Sequence, residues 1–190
     1  MNRTATRPPG AVRIIGGRWR GTKLPVADAE GLRPTSDRTR ETLFNWLQPA
    51  LPGARVLDLF AGSGALGFEA LSRGAGEALL VERDRRQCES LRTTAAKLPG
   101  GEATTIVQAD ALAFLDAPLH GRFDIVFLDP PFAGELWEAA LARLDPWVSA
   151  DAWLYVEAPL RRNIAPGPAW LLHREGSSRE TRHALYRRAG

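Results

Sequence analysis

The tetrapeptide Asp129-Pro130-Pro131-Phe132 carries more chemical information than any other segment of this 190-residue sequence. It follows an apolar run of strand length, so we expect its carboxylate at the end of a buried strand. The two prolines lack backbone N–H groups and fix φ, which leaves the carbonyl oxygens around them as acceptors in a fixed direction. A carboxylate, a rigid carbonyl and an aromatic ring can together hold a planar base that bears an amino group. We therefore predict that Asp129, Pro130, Pro131 and Phe132 are the catalytic residues.

A glycine-rich segment follows an earlier predicted strand. Gly62, Gly64 and Gly67 fit the pattern G-x-G-x-x-G in its required setting, after a strand and at the start of a helix. Glycine lets the backbone turn tightly and approach a ligand closely. The pattern by itself is compatible with a dinucleotide, with another nucleoside cofactor, or with tight strand–helix packing alone.

Two acidic residues stand where two further predicted strands end. Glu82 is followed by Arg83, and an acidic side chain at this place can accept hydrogen bonds from both hydroxyls of a ribose. The alternative is an exposed carboxylate with no ligand. Asp110, followed by Ala111, can accept a hydrogen bond from an adenine amino group or cap the helix that follows. Both roles are compatible, because a capping carboxylate can present its second oxygen elsewhere.

The elements that must position these residues alternate regularly between strand and helix. We predict strands over residues 55–60, 77–82, 103–108, 123–129 and 152–157. The predicted helices between them cover residues 64–73, 85–98, 111–115 and 136–144, and residues 170–175 and 183–187 are expected to add a final antiparallel pair. This alternation predicts an α/β layered fold with a largely parallel sheet, in which ligands bind outside the carboxyl ends of the strands.

The N-terminal part of the chain is organised differently. Residues 1–10 are basic and rich in proline and glycine, without the apolar segment of a secretory signal, and we predict a disordered leader. Residues 12–15 and 22–26 predict a β-hairpin, and a helix is predicted to begin near Thr35 or Ser36 and to end before Pro49. We accordingly divide the chain into the leader 1–10, a basic segment 11–50 and a main domain 51–190.

The charge of the chain is distributed unevenly although its net value is only +3. Residues 1–50 carry +5, residues 51–160 carry −7 and residues 161–190 carry +5. Basic ends either bind a polyanion or form solvated tails. Five hairpin residues are candidates for contacts with nucleic acid: Arg13, Arg18, Trp19, Arg20 and Lys23. The alternative for Trp19 is a core position that attaches the hairpin to the domain.

Composition excludes several classes of protein. A single cysteine, Cys88, rules out a disulfide within the chain, and three histidines make a Cys/His metal cluster improbable. No apolar run reaches the roughly 18 residues that a membrane-spanning helix needs. We therefore expect a cytoplasmic globular protein that binds neither a metal nor a membrane.

From Asp58 through Asp129 the chain resembles the class I methyltransferases that use S-adenosylmethionine. The resemblance implies a Rossmann-like fold: a mostly parallel seven-stranded sheet with a final antiparallel strand, helices on both faces and a small N-terminal hairpin. It also implies that the glycine loop holds the amino-acid end of the cofactor, Glu82 its ribose and Asp110 its adenine. The implied cofactor-binding residues are Asp58, Phe60, Ala61, Gly62, Ser63, Gly64, Glu82, Arg83, Asp110 and Ala111. The Asp129–Phe132 tetrapeptide matches the signature of enzymes that methylate exocyclic amino nitrogens.

Further segments resemble one family, the RsmD enzymes, which methylate guanine N2 in bacterial 16S ribosomal RNA. The matching segments are 13–17, 19–21, 32–35, 37–38, 40–47 and 60–67. The resemblance implies guanine 966 of that RNA as the target, within the small ribosomal subunit or its precursor, with S-adenosylhomocysteine as the second product and no metal. It adds Arg33, Thr35 and Arg38 to the RNA-binding candidates. We expect a monomer.

Three alternatives remain open at this point. The first is methylation of adenine N6 or another amino nitrogen in a different nucleic acid or in protein. The second is an NAD-dependent oxidoreductase that uses the glycine loop, although no histidine or lysine is placed as a proton relay. The third is an RNA-binding module without catalytic activity.

Overall fold

A seven-stranded sheet forms the centre of the protein, in a computed structural model that describes residues 11–26 and 36–190. The strands are, in chain order, β1 (Ala11–Arg13), β2 (Lys23–Pro25), β3 (Arg55–Asp58), β4 (Glu77–Glu82), β5 (Thr104–Gln108), β6 (Phe123–Leu128), β7 (Val148–Pro159), β8 (Trp170–Ser177) and β9 (Thr181–Arg188). Strands β1 and β2 form a separate two-stranded sheet, and the other seven form the large sheet in the order β5-β4-β3-β6-β7-β9-β8. Strands β3 to β7 are parallel, and β9 runs antiparallel to both of its neighbours. The predicted sheet is therefore confirmed.

Helices cover both faces of this sheet. They are α1 (Asp37–Leu47), α2 (Ala65–Ser72), α3 (Arg85–Lys97), α4 (Ala111–Leu115) and α5 (Trp137–Leu141). One core cluster joins α1, α2 and α3 to the sheet through residues such as Val56, and a second joins α4 and α5 through its neighbour Leu57. Adjacent strand residues point to opposite faces, so a continuous apolar run fills both cores. Within the described ranges, no helix combines the length and apolar character required to cross a membrane.

Most predicted boundaries agree with the structure to within one or two residues, and two differ more. Strand β7 begins at Val148 rather than at 152, because Val148 pairs with Phe123 ahead of a register shift before the Trp153–Ile125 pair. An irregularity of this kind adds residues to one strand without a period-2 signal in the sequence. Helix α5 ends at Leu141 rather than at 144, because the N–H groups of Arg143 and Leu144 donate to carbonyl oxygens three residues back, as in a 3-10 turn, rather than four.

The N-terminal hairpin, β1 and β2, lies against helix α2. Its turn is attached to the C-terminal end of that helix, where the Arg18 and Trp19 N–H groups donate to the carbonyl and hydroxyl oxygens of Ser72, at 2.8 and 2.9 Å. Gly17 has φ +74°, and a Cβ atom there would lie only 1.9 Å from the Ser72 carbonyl oxygen. This close approach therefore requires glycine. Because hairpin residues join the same core as α1 and α2, the hairpin and α1 are packed on the main domain.

The buried carboxylate of Glu69, on α2, connects the hairpin to two helices. Its oxygens accept the backbone N–H groups of Ile15 and Gly16 at 2.7 and 2.8 Å and the Arg73 Nε–H at 2.7 Å. The Arg40 guanidinium, on α1, lies 3.6 Å from the same carboxylate, and both side chains are fully buried. Arg40 also donates to the Arg13 carbonyl oxygen at 2.8 Å. One buried charge pair thus fixes the relative positions of the hairpin, α1 and α2.

Replacement of Glu69 by glutamine should destabilise the protein strongly. The change puts an amide NH2 group where a carboxylate oxygen accepts a backbone N–H, and it leaves the buried Arg40 guanidinium with Asp37 as its remaining carboxylate partner. Breaking a buried charge pair in this way costs about 3–5 kcal/mol. Urea denaturation measures this as a lower free energy of unfolding. Glu89→Gln is the matched control, because Glu89 forms an exposed pair with Arg85 at 3.1 Å and should contribute less than about 1 kcal/mol. Equal losses in the two variants would show that Glu69 has no such role.

Candidate active site

One cavity of about 210 Å³ opens at the carboxyl ends of β3, β4, β5 and β6. The structure brings together in its wall all four predicted catalytic residues and every predicted cofactor-binding residue except Gly64. The wall also contains residues that the sequence analysis did not select, which are Val26, Leu59, Ala65, Leu66, Val81, Gln87, Ala109 and Leu136. Residues from segments far apart in sequence therefore share a single site.

The glycine loop between β3 and α2 forms one side of the cavity. Gly62 and Gly64 have φ values of +52° and +77°, a region that favours glycine. Gly64 lies behind the loop and caps α2: a Cβ atom there would come within 2.6 Å of Phe68 and 2.7 Å of Leu91. The turn and the packing of α2 therefore require glycine here, and the contact of Gly64 with the cofactor stays a prediction.

Two carboxylates accept backbone N–H groups of this loop and of the helix α2 that follows it. Glu82 accepts the Gly62 N–H through Oε2 at 3.0 Å and the Asp84 N–H through Oε1 at 2.8 Å. Each oxygen retains a second lone pair for a ligand hydroxyl. Asp58 is buried, and its Oδ2 accepts the Gly67 N–H at 3.1 Å. Burial, followed by the nearby negative charge of Glu82, raises the pKa of Asp58 to about 7.

Asp110 lies at the start of α4, opposite the glycine loop. Its Oδ1 accepts the backbone N–H groups of Leu112 and Ala113, both at 3.0 Å, so the predicted helix cap is confirmed. Asp110 also lines the cavity. The capping bonds use one oxygen, which is compatible with a second role for the other.

The Asp129–Phe132 segment closes the cavity at the end of β6. Asp129 is half-buried and Pro130 is buried, whereas the Phe132 ring is 40% exposed. That ring lies 6.0 Å from the buried ring of Trp137, whose Nε1–H donates to the Glu157 carbonyl oxygen at 2.8 Å. A fixed indole therefore supports an exposed aromatic face beside the Asp129 carboxylate, and this face is available for stacking on a planar base.

Charge in the cavity wall is predominantly negative. Among the described residues that line it, four are carboxylates and one, the exposed Arg83, is a cation; the carboxylates are Asp58, Glu82, Asp110 and Asp129. A concave site lined by one sign of charge attracts ligands of the opposite sign. The wall therefore favours a ligand with cationic groups and disfavours the pyrophosphate of a dinucleotide.

The predicted RNA-contact residues lie mostly on the surface of the hairpin and of α1. Arg13, Arg18, Arg20, Lys23 and Arg38 are exposed. Arg18 and Arg20 lie at the turn of the hairpin, beside the C-terminus of α2, roughly 12 Å along that helix from the cavity. The other two residues of the prediction, Arg33 and Thr35, lie outside the described residues, as does the leader 1–10.

Trp19 is not available for stacking on RNA. Its side chain is 4% exposed, its Nε1–H donates to the Pro99 carbonyl oxygen at 3.0 Å, and its ring meets Phe68 edge-on at 6.4 Å. The prediction of an RNA contact by this residue is therefore wrong. Its alternative, a core residue that attaches the hairpin, describes the observed packing. The Arg18 guanidinium covers the outer side of the ring at 4.5 Å.

Comparison with known proteins identifies the family. Residues 12–187 match the family described as Conserved hypothetical protein 95. The ribosomal RNA small subunit methyltransferase D of Escherichia coli K12 is 48% identical over 182 residues, which cover 94% of this chain and 91% of that protein. The protein of the same name in Haemophilus influenzae is 42% identical over 181 residues, which cover 93% of this chain and 94% of that protein. The chain belongs to the RsmD family.

Solved structures similar to this chain have the same fold. The yhhF protein of Escherichia coli superposes with a TM-score of 0.83 at 46% identity, covering 94% of this chain and 98% of that one. The HI0767 protein of Haemophilus influenzae superposes with a TM-score of 0.82 at 38% identity, covering 95% of this chain and 100% of that one. The Rossmann-like methyltransferase architecture expected from the RsmD resemblance is therefore confirmed.

Substitution of Asp58 by asparagine should remove a pH dependence of stability. Because folding raises the Asp58 pKa from 3.8 to about 7, the folded state binds a proton that the unfolded state releases, and stability falls as pH rises between these values. From pH 5.5 to pH 8.5 the unmodified protein should lose about 2 kcal/mol relative to Asp58→Asn. Urea denaturation at both pH values measures this difference. Parallel pH profiles for the two proteins would show that the Asp58 carboxyl has an ordinary pKa.

Proposed function

We propose that this chain transfers the methyl group of S-adenosylmethionine to the exocyclic N2 nitrogen of a guanine in small-subunit ribosomal RNA. The relatives named ribosomal RNA small subunit methyltransferase D support the reaction and the class of substrate. The observation that carries the proposal is that Asp129-Pro130-Pro131-Phe132 lines the same cavity as the glycine loop, Glu82 and Asp110. The choice of guanine N2, and of guanine 966 in particular, rests on the family resemblance. The monomeric state and the cytoplasmic location stay predictions from the sequence.

The residues of the cavity fit S-adenosylmethionine as cofactor. This molecule carries a sulfonium and an ammonium group, which suit a wall with four carboxylates. Asp58 and the loop 60–63 would hold its amino-acid part, Glu82 the two ribose hydroxyls and Asp110 the adenine amino group. When bound, the cofactor supplies a methyl group already activated by the positive sulfur, so the reaction needs no nucleophilic side chain of the protein.

The chain's own task is to orient and polarise the amino group of the base. Guanine N2 is a poor nucleophile because its lone pair is delocalised into the ring. The Asp129 carboxylate and the Pro130 carbonyl oxygen accept hydrogen bonds from its two N–H groups. These bonds turn the nitrogen lone pair toward the methyl group and stabilise the positive charge that develops on nitrogen. The proton then leaves to water, so Asp129 is not required as a base. Phe132 receives the ring of the base once it has left its stack.

The exposed cations of the hairpin and α1 would bind the phosphates of the RNA. Arg13, Arg18, Arg20, Lys23 and Arg38 have no carboxylate partner among the described residues, whereas Arg182, Arg187 and Arg188 near the C-terminus pair with Glu175, Asp151 and Asp145. These five N-terminal cations are therefore candidates for contacts with phosphates. The salt dependence of binding to small subunits measures their contribution, because each lost phosphate contact lowers the slope by about one.

Two alanine variants should separate chemistry from cofactor binding. Asp129→Ala removes one of the two acceptors for the amino group, and we expect turnover to fall about 100-fold or more while S-adenosylhomocysteine still binds. Glu82→Ala removes the carboxylate assigned to the ribose, and we expect its affinity for S-adenosylhomocysteine to fall about tenfold. Calorimetric titration gives the affinities. Methyl transfer to small subunits that lack this modification gives the turnover.

Asp116→Ala is the control for both variants, because Asp116 is an exposed carboxylate paired with Arg143 outside the cavity wall. It should behave as the unmodified protein in both measurements. Retained turnover in Asp129→Ala would remove Asp129 from the mechanism. Unchanged affinity in Glu82→Ala would refute the assignment of the ribose.

A further inference from the structure

A buried amide in the cavity wall lacks a partner. Gln87, the third residue of α3, is only 5% exposed, and its Nε2 atom has no hydrogen-bond partner among the described residues. Its backbone N–H is satisfied by the side chain of Asp84, which caps the helix at 2.8 Å. Burial of an amide donor without a partner is costly, so proteins rarely keep one without a use for it.

Gln87 lines the cavity together with the glycine loop and Glu82. Leu91, one helical turn further along α3, faces Gly64 and Phe68, so this side of the helix is turned toward the glycine loop. The strand that precedes α3 ends at Glu82, whose carboxylate is bonded to the Gly62 N–H. Gln87 therefore lines the same cavity as the loop and the carboxylate proposed to bind the ribose.

Among the described residues of the cavity wall, side-chain hydrogen-bond acceptors outnumber N–H donors, which makes Gln87 a candidate donor to a ligand. Among the described residues of the wall, the side-chain N–H donors belong to Arg83, which is exposed, and to Gln87, which is buried, against four carboxylates that only accept. A ribose hydroxyl that donates its hydrogen to Glu82 still has an oxygen that accepts. The terminal torsion of glutamine is broad, so its amide can rotate to offer an N–H to the cavity.

We propose that Gln87 is a cofactor-binding residue that donates its amide hydrogen to a ribose hydroxyl oxygen held by Glu82. This inference rests on the proposed function, because it requires a nucleoside cofactor in the cavity. Glu82 and Gln87 then act as a complementary pair, in which the carboxylate accepts from the diol and the amide donates to it. Binding of the cofactor supplies the partner that the amide lacks in the free protein.

The test compares Gln87→Leu with the unmodified full-length protein. Calorimetric titration with S-adenosylhomocysteine should show an affinity about tenfold lower in the variant. The 2′-deoxy and 3′-deoxy analogues of this ligand identify the contact: for the analogue without the contacted hydroxyl, the two proteins should differ by less than about twofold. Gln87→Glu replaces the donor by an acceptor beside Glu82 and should bind S-adenosylhomocysteine more weakly still.

Thermal unfolding distinguishes this role from a structural one. Without ligand, Gln87→Leu should unfold at the same or a higher temperature, because it removes an unpaired buried amide. With ligand, its unfolding temperature should rise less than that of the unmodified protein. Arg86→Leu is the matched control, since Arg86 is the exposed neighbour outside the cavity wall and should change no affinity.

Three results would overturn the inference while the proposed function stands. They are an unchanged affinity of Gln87→Leu for S-adenosylhomocysteine, an equal loss for this ligand and both deoxy analogues, and a lower unfolding temperature of the ligand-free variant. Gln87→Met, which keeps a flexible side chain of similar length, repeats the comparison if the leucine variant does not fold. Failure of the unmodified protein to bind S-adenosylhomocysteine would refute the proposed function, and this inference with it.

Discussion

The order of strands around β3 is the constraint on which the rest of the site depends. β3 lies between β4 and β6, and all three run parallel, so their carboxyl ends lie at one edge of the sheet. The loops that follow these strands carry the glycine segment, Glu82 and the Asp129–Phe132 tetrapeptide. Gly62, Glu82 and Asp129 are separated in sequence by steps of 20 and 47 residues, yet they share one cavity, as ligand sites of open α/β sheets do. Every chemical role assigned here requires this arrangement.

The second constraint is the burial of charge around Glu69. Removal of a carboxylate and a guanidinium from water is costly, and that cost is offset only where several hydrogen bonds meet in one geometry. Glu69 receives backbone N–H groups from the hairpin as well as Arg73 and Arg40. The hairpin is thereby fixed on the face of α2, with Val26 at the cavity and Arg18 at the far end of the helix. This arrangement joins the acidic cavity proposed to bind the cofactor to the basic surface proposed to bind RNA.

The parts that could be predicted from sequence are those in which a local pattern determines the structure. Apolar runs bounded by turn residues predicted the strands of the large sheet, and motifs at the strand ends predicted most of the cavity wall. Glu69 could not be found in this way, because a carboxylate in a short helix gives the same pattern whether it is exposed or buried among distant partners. Trp19 and Gln87 are similar cases: tertiary packing decides whether an indole is in the core, and which amide borders a cavity.

The central claim is that the Asp129 site methylates guanine N2 in small-subunit ribosomal RNA. The most direct measurement incubates the protein with methyl-labelled S-adenosylmethionine and small ribosomal subunits from cells that lack it, followed by nucleoside analysis of the RNA. We expect label in N2-methylguanosine at a single position. Label in another nucleoside would leave the cofactor site intact but contradict the assignment to guanine N2. Absence of label from the subunits, and from free ribosomal RNA in a parallel incubation, would contradict the proposed methylation of small-subunit RNA.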